Sequence, residues 1–385
     1  MSNRLAVNFA GLELRNPFIL AAATPGWDGQ HLVEATRAGA GAVVPKTIGP
    51  PAGWAAHPRN GRLALVKVGK SRIGMINLEL FTTKNQEEWL VNDLALAKEG
   101  GATIIASILA NPDPEDTAQL ARKVEATGCA EMLELNVSCP MPASTVGMHI
   151  GKDPEKTKEQ VLAVKEASDL PLSVKLTPNI ADIGPVAAAC QEAGADALSV
   201  TNSVRAFAGV DIYSGQPRLR AFGGYTGPAI KPIVQRLVIE VGQACDLPIS
   251  AIGGISSWQD AVEYIMLGAT TVQVATSVMW KGWDGFSRLI EGFEEFMVDQ
   301  GHASIEDFRG IALPYVSTTE ALAQEPRRVA AIDDERCNKC GLCVRSCFYD
   351  ALSLDEELVV DNDKCDGCGL CVILCPVEAP QMVEV

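Results

Sequence analysis

The sequence predicts an α/β protein, a TIM-type (β/α)8 barrel over residues 1–300, then a linker over 301–332 and a small α+β domain over 333–385. Three observations carry this. Short apolar runs alternate with helical patterns through the first 300 residues. Many of those runs end on a polar or glycine residue, as barrel strands do where they reach a site. Eight of the 12 cysteines fall between Cys337 and Cys375, in two copies of one spacing.

The strand-like runs are residues 18–24, 42–47, 103–109, 132–138, 172–178, 197–203, 248–254 and 271–277. Helical patterns follow, such as 84–99, 114–128, 154–168, 182–193, 228–244, 258–267 and 285–299. Eight strand–helix units of this length close into a parallel barrel. The rival is an open doubly wound sheet, which would want a GxGxxG turn after its first strand. The chain reads Thr24-Pro25-Gly26-Trp27-Asp28-Gly29 there, and Gly39-Ala40-Gly41 precedes a strand rather than following one. A long insertion, 48–83, follows the second run.

The first cysteine run is Cys337, Cys340, Cys343 and Cys347; the second is Cys365, Cys368, Cys371 and Cys375, followed by Pro376. This is the spacing of two-cluster ferredoxins. Three thiolates of each run hold one [4Fe–4S] cube and the fourth crosses to the other. The expected ligands are Cys337, Cys340, Cys343 and Cys375 for one cluster. Cys365, Cys368, Cys371 and Cys347 serve the other. Gly341, Gly367 and Gly369 are expected to relieve crowding around the sulfurs. A disulfide scaffold suits small secreted chains rather than a large one such as this, and zinc bound through paired CxxC units would leave four thiols unexplained. A chain with this domain moves single electrons.

Net charge of −16 argues against a nucleic-acid or anionic-membrane surface. No apolar run approaches the length of a spanning helix. The first 30 residues lack a secretory pattern, so a cytoplasmic protein is expected.

In such barrels the active site lies at the C-terminal ends of the strands. Thr24, Lys46, Asn136 to Cys139, Lys175, Asn202, Gly253-Gly254 and Thr276-Ser277 fall there. The last two pairs come from the seventh and eighth units, where backbone N–H groups commonly hold phosphate. Lys175 at the end of an apolar strand is suited to stabilising negative charge on a reduced flavin ring.

At this point the chain resembles the FMN barrel of the dihydroorotate and dihydropyrimidine dehydrogenase family, and most closely its branch of NAD-dependent catalytic subunits with a C-terminal two-cluster ferredoxin domain. The matching stretches include NLEL (77–80), LELNVSCP (133–140), VKLTPNIADI (174–183), TNS (201–203), GGYTGPAIKP (223–232) and PISAIGGISSWQDA (248–261). The resemblance implies FMN held by Lys46, Lys175, Gly227, Gly253, Gly254, Thr276 and Ser277, with Ala22 and Ala23 under the ring. It implies that Asn77, Asn136, Asn202 and Ser203 hydrogen-bond the substrate, joined by Glu79, which matches the pyrimidine-reducing branch. Cys139 is implied as the acid/base residue. An oligomer is implied, together with an FAD- and NAD(P)-binding electron-transfer subunit or a ferredoxin as partner.

Residue chemistry agrees on Cys139. Reducing an electron-poor C=C bond needs hydride on one carbon and a proton on its neighbour. A thiol of pKa about 8.5 can supply that proton. His149 is a second candidate for proton transfer or substrate contact. The residue after Ser138-Cys139-Pro140 is Met141, where the two branches carry His or Asn. The best concrete reaction is uracil or thymine to 5,6-dihydropyrimidine. The alternatives are the same chemistry on another conjugated substrate (an enone, an enoyl thioester or another ring), and an electron-transfer subunit without its own substrate.

Overall fold

The computed structural model describes residues 3–49, 58, 61–139 and 147–385. The chain forms two compact units, Met1–Leu313 and Pro314–Val385. The first contains eight parallel strands: β1 (Phe18–Leu20), β2 (Ala42–Val43), β3 (Ile105–Leu109), β4 (Met132–Asn136), β5 (Leu172–Lys175), β6 (Ala197–Val200), β7 (Ile249–Ile252) and β8 (Thr271–Val274). Their spatial order is β2-β1-β8-β7-β6-β5-β4-β3. Parallel bridges Val43–Ile104 and Ile48–Ile108 join the two ends, so the barrel closes.

Each expected run contains one of these strands, and all but β3, which ends with its run at Leu109, stop short of the run's C-terminal end. β1 ends at Leu20, for example, and residues 21–24 leave the ladder. These tails carry polar and glycine residues that line the barrel mouth. Strands covered on both faces read as continuous apolar runs, and β3, β4 and β8 are buried throughout.

Helix starts follow local chemistry. Asp113 and Asp153 each precede a proline at the first helical position and accept the N–H of Glu115 and Glu155. Ser257 and Asp260 form a reciprocal capping box at the helix Trp258–Met266. The expected helix 84–99 is three pieces, with a wider turn at Trp89–Asp93 between Gln86–Glu88 and Leu94–Glu99. A helix at Gly29–Arg37, capped by Asp28, follows β1.

The described part of the insertion after β2 carries strands of its own. Leu63–Val68 and Ser71–Asn77 form an antiparallel hairpin, and Val204–Ala206 with Gly223–Thr226 extend it to a four-stranded sheet. Gly224 pairs with Asn77, which brings the loop after β6 to the insertion.

The 301–332 stretch is divided rather than uniform. Ile305 and Phe308 are buried in the first unit, where Phe308 packs on Phe293 and Phe293 on Phe18. Arg328–Ile332 is a strand of the second unit, paired with Pro380–Glu384. A small hairpin, Leu352–Leu354 with Leu358–Val360, and short helices Leu342–Arg345 and Leu370–Leu374 complete that unit. Among the described residues no helix is long and apolar enough to cross a membrane.

Candidate functional site

Chain segments beyond the C-terminal ends of the strands, together with the insertion sheet, surround a cleft of about 1040 Å³ counted to its open mouth. Ala22, Ala23, Lys46, Asn77, Glu79, Asn136, Cys139, Lys175, Asn202, Ser203, Gly227, Gly253, Gly254 and Thr276 all line it. Ser277 is buried just after Thr276, and its hydroxyl has no partner among the described residues. His149 closes the short turn Gly147–His149 and is not part of the lining. The departure at Met141 lies outside the described residues.

The asparagines form one connected set. Asn136 donates to Thr47 Oγ1 at 3.0 Å and accepts from Ser138. Asn202 donates to Ser138 Oγ at 2.9 Å and accepts from Ser203. Asn77 donates to the Gly224 carbonyl and accepts the Glu79 N–H. Each amide is thereby fixed in orientation and keeps a second N–H for a ligand; the Asn136 and Asn202 oxygens each already accept twice, from Ser138 and from Ser203, while the Asn77 oxygen keeps a lone pair. Cys139 is buried beside Phe81 and Leu109.

Lys46 is buried 3.2 Å from Glu79 Oε2, which also accepts from Thr24. Burial pushes the Lys46 ammonium down from the ordinary lysine range, and Glu79 opposes that shift, with Cys139 adding to the support. Arg62, from the insertion, holds the other Glu79 oxygen at 3.1 Å.

Lys175 is not a solvated strand end. Its Nζ lies 3.4 Å from Glu134, which is fully buried inside the barrel. Glu134 also accepts from Ser199 and Gln273. Gln273 lines the cleft, and its amide oxygen has no partner among the described residues. Sequence reasoning missed Glu134, Thr47, Gln273 and Arg62. Glu134 had a signal: a carboxylate inside an apolar strand, two residues before Asn136 and therefore on the same inward face.

The cleft suits a phosphate-bearing planar cofactor. Gly227, Gly253 and Gly254 have φ of 97°, 132° and 78°. A Cβ on Gly254 would lie 2.5 Å from Lys231 Cβ, so only glycine lets the chain pass the helix Lys231–Ala244. The crowding within the protein is with Lys231.

In the second unit, Cys337, Cys340, Cys343 and Cys375 line a cavity of about 350 Å³. Cys347, Cys365, Cys368 and Cys371 line another of about 370 Å³. Each set of four thus gathers on one cavity, three from one run and the fourth from the other. Among the described residues no three His, Cys, Asp or Glu side chains are placed to hold one ion. The three glycines act differently from the crowding expected. A Cβ would clash only at Gly367, 2.5 Å from the Arg328 carbonyl. Gly341 and Gly369 instead supply left-handed backbone before the two short helices.

The family model described as dihydroorotate dehydrogenase matches residues 4–297, and the model of a 4Fe-4S dicluster domain matches 330–382. The chain is 40% identical over 309 residues to a protein of Methanothermobacter thermautotrophicus called dihydroorotate dehydrogenase B (NAD(+)), catalytic subunit, covering 80% of this chain and 98% of the relative. A Thermococcus kodakarensis protein of the same name is 38% identical over 313 residues, again 80% and 98%. The NAD-dependent dihydropyrimidine dehydrogenase subunit PreA of Escherichia coli (strain K12) is 32% identical over 357 residues, covering 90% of this chain and 86% of the relative.

Proposed function

The chain belongs to the dihydroorotate dehydrogenase family as an oxidoreductase acting on CH–CH groups, with FMN and two [4Fe–4S] clusters as cofactors, and from that premise we propose that it interconverts uracil or thymine and the 5,6-dihydropyrimidine. The observation that supports this best is the convergence of Cys139, three fixed asparagines and Glu79 on one cleft with the FMN candidates. A purely electron-relaying barrel needs neither a proton donor nor a set of oriented amides.

FMN, when bound, supplies hydride chemistry at its N5. The protein's part is positional and protic. Ala22 and Ala23 leave room for a flat ring. Gly227, Gly253, Gly254, Thr276 and Ser277 receive the phosphate end, and the unpartnered Ser277 hydroxyl fits that role. Lys46 and Lys175 place positive charge against the ring. Asn77, Asn136, Asn202 and Ser203 offer donors and acceptors to a ring of alternating N–H and C=O groups, with Glu79 as a further acceptor. The Cys139 thiol delivers a proton to the carbon next to the one receiving hydride, or removes it in the reverse direction.

The two four-cysteine sets would hold the clusters, which would supply one-electron exchange with a partner. The first βα turn lacks a nicotinamide fingerprint, and relatives carry names that specify a subunit and NAD. This favours an FAD- and NAD(P)-binding subunit over direct use of NADH, with ferredoxin as the alternative donor.

A second reading, the same chemistry on another conjugated ring, rests on Met141 and on the relatives named for dihydroorotate. An anaerobic screen decides between them. The reduced flavin is mixed with uracil, thymine, orotate and simple cyclic enones. Rapid re-oxidation by uracil or thymine supports the proposal. Inert uracil and thymine with a reactive orotate or enone replaces it by the second reading.

A further inference from the structure

The cleft holds two buried ammonium groups, and both are already answered. Lys175 faces Glu134, and Lys46 faces Glu79. Among the described residues Glu79 is the only carboxylate lining the cleft. Its two oxygens are divided. Oε2 takes Lys46 and Thr24, while Oε1 takes Arg62. The Arg62 side chain is 38% exposed against 9% for Glu79 and 5% for Lys46, so the triad runs from the mouth inward. The arrangement is fixed by backbone as well. Leu63 pairs with Asn77 across the hairpin, and the Leu78 N–H donates to the Arg62 carbonyl at 2.8 Å. Arg62 and Glu79 are therefore held together where the two strands end.

We propose that Arg62 is a positioning residue that sets the charge selectivity of the cleft: by holding Glu79 Oε1 it commits the mouth's two cations to an internal carboxylate, so a neutral ring is admitted and a ring bearing its own carboxylate is refused. This rests on the reading above that the substrate is a cyclic amide. An entering carboxylate would compete with Glu79 for Arg62 and Lys46 and would lie against the Glu79 charge. Like charges placed together in a poorly hydrated site are strongly disfavoured. The same logic predicts which change admits an anion. Removing the charge of Glu79 frees Arg62 and Lys46, and Arg62, at the entrance, is the one able to reach a substituent on the ring's edge.

The test uses the intact anaerobic chain with FMN bound. Uracil, uracil-6-carboxylate and uracil-6-carboxamide are titrated against the visible spectrum of the oxidised flavin. The two six-substituted rings have nearly the same shape and differ in charge. In the wild type the carboxamide should bind at least about tenfold tighter than the carboxylate. Glu79→Gln should reverse that order. Adding Arg62→Gln to Glu79→Gln should abolish most of the gain, and Arg62→Lys in its place should keep most of it, which a merely structural role for Arg62 does not predict. Flavin content of each variant, read from the same spectra, reports folding, and the wild-type comparison needs no variant at all. The proposal is overturned if the wild type binds the two six-substituted rings within about threefold of each other, or if the gain in Glu79→Gln survives Arg62→Gln. A wild type that binds uracil without discriminating charge counts against the gate alone. One that binds neither uracil nor the carboxamide counts against the cyclic-amide reading and takes this proposal with it.

Discussion

Lys175 Nζ and Glu134 Oε1 stand 3.4 Å apart inside the barrel, with Glu134 fully buried. The pair lies on the ladder that joins β4 to β5, where Glu134 is in register with Ser173 and Asn136 with Lys175. Both side chains point inward, and Ser199 and Gln273 close the hydrogen bonds around Glu134. The barrel thus fixes a cation at the floor of the cleft.

Breaking that pair from the carboxylate side leaves a buried ammonium without its partner. Glu134→Ala should lower unfolding stability by about 3–5 kcal/mol, the usual cost of orphaning a buried charge. Denaturant unfolding of the flavin-containing unit checks this. A loss below about 1 kcal/mol would mean that water or another group takes over the pairing.

Gly254→Val should remove FMN and spare the clusters. The new side chain meets Lys231 at the start of the helix Lys231–Ala244, and the left-handed backbone is strained by any Cβ. The cysteine cavities belong to the other compact unit. The ratio of flavin to iron in purified protein is the readout. A protein with normal flavin content would contradict this account of the glycine.

The barrel was legible because strands covered on both faces must be apolar, and all eight stand where the apolar runs predict. Their ends were less legible, since most runs continue past the ladder into the tails that line the cleft. The hairpin Leu63–Asn77 turns at Gly69-Lys70 but carries no clean alternation and was hidden inside an insertion. Cys139, Asn136 and Asn202 were visible as polar groups ending apolar runs. Glu134, Thr47 and Arg62 were not, because each acts by pairing with a residue far away in sequence, and a single chain read in order does not display such pairings.

Asp260 makes stability pH-dependent. Burial pushes its carboxyl up, but Lys231 and the Ser256 and Ser257 hydrogen bonds outweigh that and hold it below the ordinary aspartate range. A depressed carboxyl stabilises the fold above its unfolded value of about 3.9, and that contribution fades as pH falls through the folded value. Asp260→Asn should cost about 1–2 kcal/mol at neutral pH. The difference from wild type should shrink on acidification below that range. A difference independent of pH would show that the charge is not what matters.

The isolated chain should oxidise NADH only slowly. Its first βα turn offers no fingerprint for a nicotinamide nucleotide. A chemical reductant or a flavoprotein partner should restore flavin reduction. Fast NADH oxidation by the chain alone, free of contaminating flavoprotein, would contradict the need for a partner.

The central claim is that Cys139 supplies the proton while the flavin supplies the hydride to a pyrimidine ring. Single-turnover re-oxidation of the reduced flavin by uracil tests it, comparing wild type with Cys139→Ala and Cys139→Ser at equal flavin content. Wild type should be re-oxidised rapidly. The alanine variant should lose about 10²-fold or more, and the serine variant, whose hydroxyl is the weaker acid, should keep partial activity with a higher pH optimum. Near-normal re-oxidation by the alanine variant would contradict the role of Cys139, and His149 would be the next residue to replace.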